Sequence, residues 1–380
     1  MNARDGIHIL ESLDGAPAAE WDALAGRNPL LSHAFLHALE ESGCASARAG
    51  WAPCHLTLRK HGRLAGAMPL YLKRHSYGEY VFDWGWAESY HRSGLRYYPK
   101  LVSAIPFTPV TCARLLAAGA EDRRRLIEGA LAFARDAGVS SLHCLFPTEP
   151  EAQAMREAGM LLRTTVQFHW ENAGYADFDD FTARMSHDKR KKIRQERRKI
   201  RETGVEFRRL PGGEVSAAQW RFFFECYCHT YRSHLSTPYL NLDFFLRLAR
   251  AMPDDLLLVI AWRAGKPVAS SFFVRGADTL YGRYWGALEY HPGLHFECCY
   301  YQAIEHCIEH RIARFEGGAQ GEHKLSRGLL PAATVSAHWL ARPEYFKAVA
   351  DFLRRETRGV AHYVDELAER SPFKHEEGAP

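Results

Sequence analysis

Nowhere do the 380 residues offer a long apolar run: no window approaches roughly 18 consecutive apolar positions, so no membrane-spanning helix is expected. The start of the chain is broken as well. Asn2, Arg4, Asp5, His8 and Glu11 interrupt Met1–Leu13 before a secretory core can form, and export is not expected. Charge of one sign is scarce overall, since 49 Lys+Arg against 45 Asp+Glu leave only +4. The chain is therefore no polycation, and any charge-driven binding must come from a local cluster. Nine cysteines, odd in number and scattered, suit free thiols in a reducing cytoplasm. Neither Gly-x-Ser-x-Gly nor Gly-x-x-x-x-Gly-Lys-Ser/Thr occurs, which removes the serine-hydrolase elbow and the P-loop. Cys226, Cys228, His229, His291, His295, Cys298 and Cys299 are soft ligands without finger or ribbon spacing, and no metal is expected there.

What the chain does have is 47% hydrophobic and 25% charged residues, enough for a sizeable core, at a length that favours two domains. Periodicity predicts two short helices, strands at Cys54–Arg59 and Leu64–Leu72 around the turn Lys60-His61-Gly62-Arg63, and a third strand at Glu79–Trp84. After the aromatic and proline-rich stretch 84–111, a helix at Arg123–Ala137 and a strand at Ser141–Phe146 follow, then a helix at Pro150–Ala158 and a strand at Leu162–Trp170. The second half repeats this grammar: strands at Leu256–Arg263 and Val268–Arg275 around Ala264-Gly265-Lys266-Pro267, a strand at Thr279–Gly286, a helix at Cys299–His310 and a strand at Ile312–Glu316. The order of elements points to a duplicated domain, with 84–111 as an insertion in the first copy.

Positive charge is concentrated in one element. Arg184–Arg201 holds ten Lys/Arg against Asp188 and Glu196, a charge of +8, so the rest of the chain sums to −4. Ser186 is a candidate N-cap and Gly204 a C-terminal stop. Ile193 and Ile200 give the helix a narrow apolar seam, leaving most of its circumference cationic. Lys189, Arg190, Lys192 and Arg194 are candidate phosphate ligands on a surface that suits nucleic-acid backbone, a nucleotide pyrophosphate or anionic lipid head groups. A solvated linker helix is the plainer alternative, opposed by like charges at i,i+4.

The densest motif is Glu316-Gly317-Gly318-Ala319-Gln320-Gly321-Glu322-His323-Lys324, continuing to Arg327-Gly328. Its glycines permit close ligand approach. Glu316 or Glu322 can act as a general base, His323 can shuttle a proton, and Lys324 and Arg327 can hold an oxyanion, carboxylate or phosphate. Arg283, flanked by Tyr284 and Tyr281, is a candidate acceptor contact, and Tyr90, His91, Arg96 and Lys100 make the loop of the first half another.

Together with Phe82-Asp83-Trp84, the Leu95–Leu101 run, Pro106-Phe107-Thr108-Pro109-Val110-Thr111 and Arg190-Lys191-Lys192-Ile193-Arg194, this motif resembles the FemAB-like N-acyltransferases of the GNAT superfamily over roughly residues 30 to 355. The resemblance implies an α/β (α+β) fold of tandem GNAT-like domains, each a mixed sheet flanked by helices. It places the first domain at 1–175, the second at 176–342 beginning with the basic helix 186–203, and a C-terminal helix and tail at 343–380, the helix returning to the first domain. It also implies an N-acyltransferase moving an acyl or aminoacyl group to an amine. On the residue chemistry, Glu316, Glu322, His323 and Lys324 are the expected catalytic groups and Gln320, Arg327, Arg283, Tyr90, His91, Arg96 and Lys100 the expected substrate contacts. No tightly bound cofactor is expected; acyl-CoA or aminoacyl-tRNA is the co-substrate. Expected partners are a small-molecule or cell-wall-precursor amine, tRNA and an anionic membrane surface, with oligomeric state left open. The rival is a non-catalytic binder of nucleic acid, anionic lipid or cell-wall precursor on the same scaffold. In the better-known Fem enzymes a Phe-Lys site follows the Gly-Gly turn; here Gly317-Gly318 and Lys324 are present and His323 stands in place of Phe. Acyl transfer on this turn requires that it face a cleft.

Overall fold

The computed structural model describes residues 5–319 and 321–374. They divide into two compact units, one built from the chain up to Thr165 together with Ala333–Ala361, the other from Val166–Ala332 together with the chain from His362 on.

In the first unit, β1 (Gly6–Leu10) pairs antiparallel with β3 (His55–Lys60) of the first hairpin, whose other strand is β4 (Arg63–Met68). His61 and Gly62 at the turn both take positive φ, 52° and 75°, the mirror-image turn whose twist matches that of the flanking strands. A second run of strands is formed by β2 (Trp51–Pro53), β5 (Tyr71–Lys73) and β6 (Lys100–Ser103), each antiparallel to the next. After the short β7 (Leu116–Ala117), the helix Ala120–Asp136 crosses back so that β8 (Ser141–Leu145) lies parallel to β6. That helix turns Leu126, Ile127, Ala130, Leu131 and Ala134 onto the core of Leu56, Leu58, Met68 and Leu142.

The next strand, β9 (Leu161–Glu171), leads into the second unit. There β10 (Val205–Pro211), β11 (Leu256–Arg263), β12 (Lys266–Arg275) and β13 (Thr279–Ala287) form an antiparallel series. The β11–β12 turn repeats the first one, with Ala264 and Gly265 at φ 48° and 76°. A helical stretch from Leu294 through a π-turn to Gln302–Glu309 crosses back, and β14 (Arg314–Glu316) lies parallel to β13. Each unit then closes with an antiparallel strand beside its parallel pair: β9 on β14 in the second, and β15 (Leu330–Leu340) on β8 in the first. Each parallel pair is thus flanked by the strand that follows the other copy in sequence. The repeated mixed sheet with flanking helices is the tandem arrangement that the resemblance implies.

The predicted third strand at Glu79–Trp84 is not formed. Residues 74–83 are irregular, Trp84–Arg92 is a helix, and Lys100–Ser103 takes the third-strand position. The carboxylates of Glu79 and Asp83 are buried on the Lys100 ammonium, so charge pairing rather than a ladder holds this segment. Among the described residues no helix is long and apolar enough to cross a membrane.

Candidate functional site

The site forms where β13 and β14 part. Their parallel pairing covers only Thr279–Tyr281 against Arg314–Glu316, whereas β13 runs on to Ala287. Close approach at the fork requires glycine: a Cβ at Gly282 would meet the Glu316 carbonyl oxygen and the Phe315 ring at 3.2 Å. One residue further on, Arg283 is the extra residue of a β-bulge, since Tyr284 faces Phe272 and Gly282 faces Phe273. Bulges re-aim a side chain out of the ladder, and the Arg283 guanidinium lies 5.2 Å from the centre of the Tyr284 ring.

Beyond Glu316 the chain makes the glycine turn, with φ 86° at Gly318 and 112° at Gly321, and then the 3-10 helix Glu322–Arg327. This short helix folds Lys324 back under the turn. Its side chain is 2% exposed, and its ammonium donates to the Gly318 carbonyl at 2.7 Å. Burial pulls the Lys324 ammonium down to about 8. Glu316 is buried too, with Oε2 lacking a hydrogen-bond partner and lying 4.0 Å from His169 Nε2 on β9. Burial pushes its carboxyl up to about 7, while burial lowers His169 to about 4 and keeps that imidazole neutral. Two groups able to exchange protons near neutrality therefore sit at one strand end.

His323 is exposed and shares a 3.0 Å hydrogen bond through Nε2 with the Tyr300 hydroxyl; burial of its ring, then Lys324 and Arg327, lower its pKa. Glu322 is exposed and accepts from Tyr363 at 2.9 Å and from Arg370 at 3.1 Å, bonds that lower its pKa. Arg327 is 3% exposed, lies 3.3 Å over the Phe296 ring and forks onto both carboxylate oxygens of Glu196 at 2.9 and 3.1 Å. Gln320 lies outside the described residues.

The basic helix, His187–Glu202, packs by Ile193 and Ile200 and turns two charged residues inward. Glu196 meets Arg327, and Arg197 meets Glu297 at 2.8 Å and Glu305 at 3.1 Å. Lys189 and Lys192 share an open cleft of about 660 Å³ with His323, Ser326, Arg327 and Arg370. Arg190 and Arg194 lie along a second groove on the helix, and Arg194 also approaches Asp179 at 3.5 Å.

The other candidates lie in the first unit. His91 and Arg96 are exposed. Tyr90 is 1% exposed, with its ring centre 3.9 Å from that of Tyr345. Lys100 is fully buried, donating to Ser76 at 2.7 Å, to Glu79 at 2.8 Å and to Asp83. The structure therefore brings Glu316, Lys324, His323, Arg327 and the basic helix into one region of the second unit. Sequence reasoning missed His169, Tyr300, Phe296 and the Glu196–Arg327 pair. Only Glu196 carried a local signal, as an acid inside a basic run.

A family described as FemAB-like, peptidoglycan biosynthesis/recognition, is matched over residues 12–375. No curated protein matches the sequence. Among solved structures, FemX is 9% identical with a TM-score of 0.55, the match covering 88% of this chain and 98% of that one. A conserved protein of unknown function from Bacteroides thetaiotaomicron is 11% identical (TM-score 0.53; 87% and 98% covered), and L-PGS from Bacillus licheniformis is 10% identical (0.51; 86% and 97%). At these identities the likeness shows a shared fold.

Proposed function

The chain belongs to the FemAB-like family, and from that premise we propose that it is an N-acyltransferase passing an acyl or aminoacyl group from an activated ester or thioester to an amine, with a peptidoglycan precursor as acceptor. The observation that carries this reading is the fork of β13 and β14, where a buried, unpartnered carboxylate oxygen of Glu316 ends the strand and the glycine turn just beyond it holds the buried Lys324 ammonium on the Gly318 carbonyl.

In the proposed step the acceptor amine attacks the donor carbonyl at the fork. The Lys324 ammonium stabilises the oxyanion that forms, a role suited to a fixed cation in a water-poor site. Glu316 takes the proton from the attacking nitrogen, and collapse of the tetrahedral intermediate expels the thiolate of a CoA donor, or the ribose oxygen of an aminoacyl-tRNA donor, to which the protonated Glu316 passes that proton. No side-chain nucleophile is needed. The cleft lined by Lys189, Lys192 and Arg370 suits the donor's phosphates.

The test is transfer of radiolabelled acyl groups from acyl-CoAs and charged tRNAs to amine acceptors, followed by mass spectrometry of the acceptor. Lys324→Ala should lower turnover by about a hundredfold or more while donor binding persists. Unchanged turnover would remove Lys324 from the mechanism. Donor binding with no transfer from any donor, by the unaltered protein, would favour the rival binding role.

A further inference from the structure

Along the helix Gln302–Glu309 and its C-cap in the second unit, His306, Glu309 and His310 occupy positions i, i+3 and i+4, so their side chains share one face. One ligand atom from each lies within 4.8 Å of the others. His306 is 6% exposed and its Nε2 is buried with no hydrogen-bond partner. A buried imidazole nitrogen left unpaired is costly and calls for a partner. His310 shares a 3.0 Å hydrogen bond through Nδ1 with the His306 carbonyl oxygen. Since the carbonyl accepts, Nδ1 carries the proton and Nε2 keeps its lone pair, the arrangement that orients metal-bound histidines. Glu309 gives one oxygen, Oε1, to Arg209 at 2.8 Å. The group also sits at the C-terminal end of its helix, where the backbone dipole favours a cation.

We propose that His306, Glu309 and His310 form a binding site for a divalent transition ion of the zinc class. Two imidazoles and a carboxylate are the borderline donor set that zinc, nickel and copper prefer over magnesium or calcium. The other comparable group among the described residues, Asp14, His37 and Glu41, differs because His37 Nε2 is already bonded to Asp14 at 2.8 Å. Arg209 sets the affinity: its guanidinium competes with the ion for Glu309 and adds a like charge beside it.

The experiment uses the full-length, tag-free chain stripped with a chelator and titrated with Co²⁺, whose visible absorption reports ligation. A saturable spectrum at one ion per chain, lacking a strong near-ultraviolet thiolate band and displaced by Zn²⁺, is expected. His310→Ala and Glu309→Gln, both at exposed positions, should weaken binding roughly tenfold or more. Arg209→Met should tighten it. His306→Gln keeps a polar side chain of similar reach and should weaken binding in a chain that stays folded by circular dichroism. The proposal is overturned if no saturable spectrum appears, if the spectrum carries a thiolate band, or if His310→Ala and Glu309→Gln bind as tightly as the unaltered chain.

Discussion

Glu316 ends its strand with one carboxylate oxygen buried and unpartnered, and burial holds its carboxyl at about 7. A base accepts a proton only when ionised, so transfer should rise as pH increases through about 7 and fall again above about 8 as the Lys324 ammonium loses its proton, and Glu316→Gln should lose the rising limb. The same shift acts on stability. The folded pKa stands above the ordinary 4.5, so the folded chain binds the extra proton between the two values. The contribution is therefore present below 4.5 and lost as pH rises through about 7. Glu316→Gln should melt higher than the unaltered chain at about pH 8 but not at about pH 4, by calorimetry at each. A merely structural carboxyl would show the melting difference without the rate difference. Lys324 and Glu316 were legible in the sequence because one short motif holds both. Arg327 was legible only as a cation, since its partner Glu196 lies 131 residues away and only folding joins them.

A helix with ten basic residues in and around it faces like-charge repulsion at i,i+4. The structure shows what offsets it: Ile193 and Ile200 bury the seam, Arg197 turns inward onto Glu297 and Glu305, and Glu196 ties the helix to Arg327. The cations that remain outward, Lys189 and Lys192 among them, are free of any such inward pairing and line the cleft. If they hold the phosphates of a tRNA donor, its affinity should fall steeply with salt, and Lys189→Ala with Lys192→Ala should reduce the log–log slope by about 0.7 to 0.9 per residue removed. Filter binding at several salt concentrations reads this directly. An unchanged slope would move the donor off this face. The seam of two isoleucines made the helix easy to foresee. The strand expected at Glu79–Trp84 failed because alternation there comes from two acids that point to a buried lysine, and a period of two cannot distinguish buried charge from solvent-facing charge.

Duplication was legible because turn chemistry repeats: a positive-φ residue followed by glycine closes both hairpins. The exchange of closing strands was not, because local pattern carries no information about which distant strand a segment joins. In the first unit the consequence is a buried chain of polar groups drawn from far-separated segments. His338 on β15 meets His143 on β8 through their Nδ1 atoms at 2.7 Å, across 195 positions. His143 Nε2 lies 3.1 Å from the Tyr97 hydroxyl, which donates to Asp83 at 2.6 Å. Asp83 and Glu79 converge on Lys100, while Lys73 lies 3.6 Å over the Trp51 ring. Burial pushes Glu79 up to about 7, whereas the Lys100 ammonium outweighs burial and holds Asp83 below the usual carboxylate range. Removing one partner from such a cluster costs more than removing the whole set, because the remaining charges stay buried without a counter-ion. Lys100→Met should therefore destabilise by roughly 3 to 5 kcal/mol, a fall in Tm on the order of 10 °C for a domain of this size. Combining it with Glu79→Gln and Asp83→Asn should recover most of that loss when measured at about pH 8, where the buried Lys73, lowered to about 7, sheds its proton and no unpaired charge is left inside. If the triple variant melts as low as the single one, Lys100 acts through packing and the charge balance of this cluster is not what holds the irregular 74–83 segment in place.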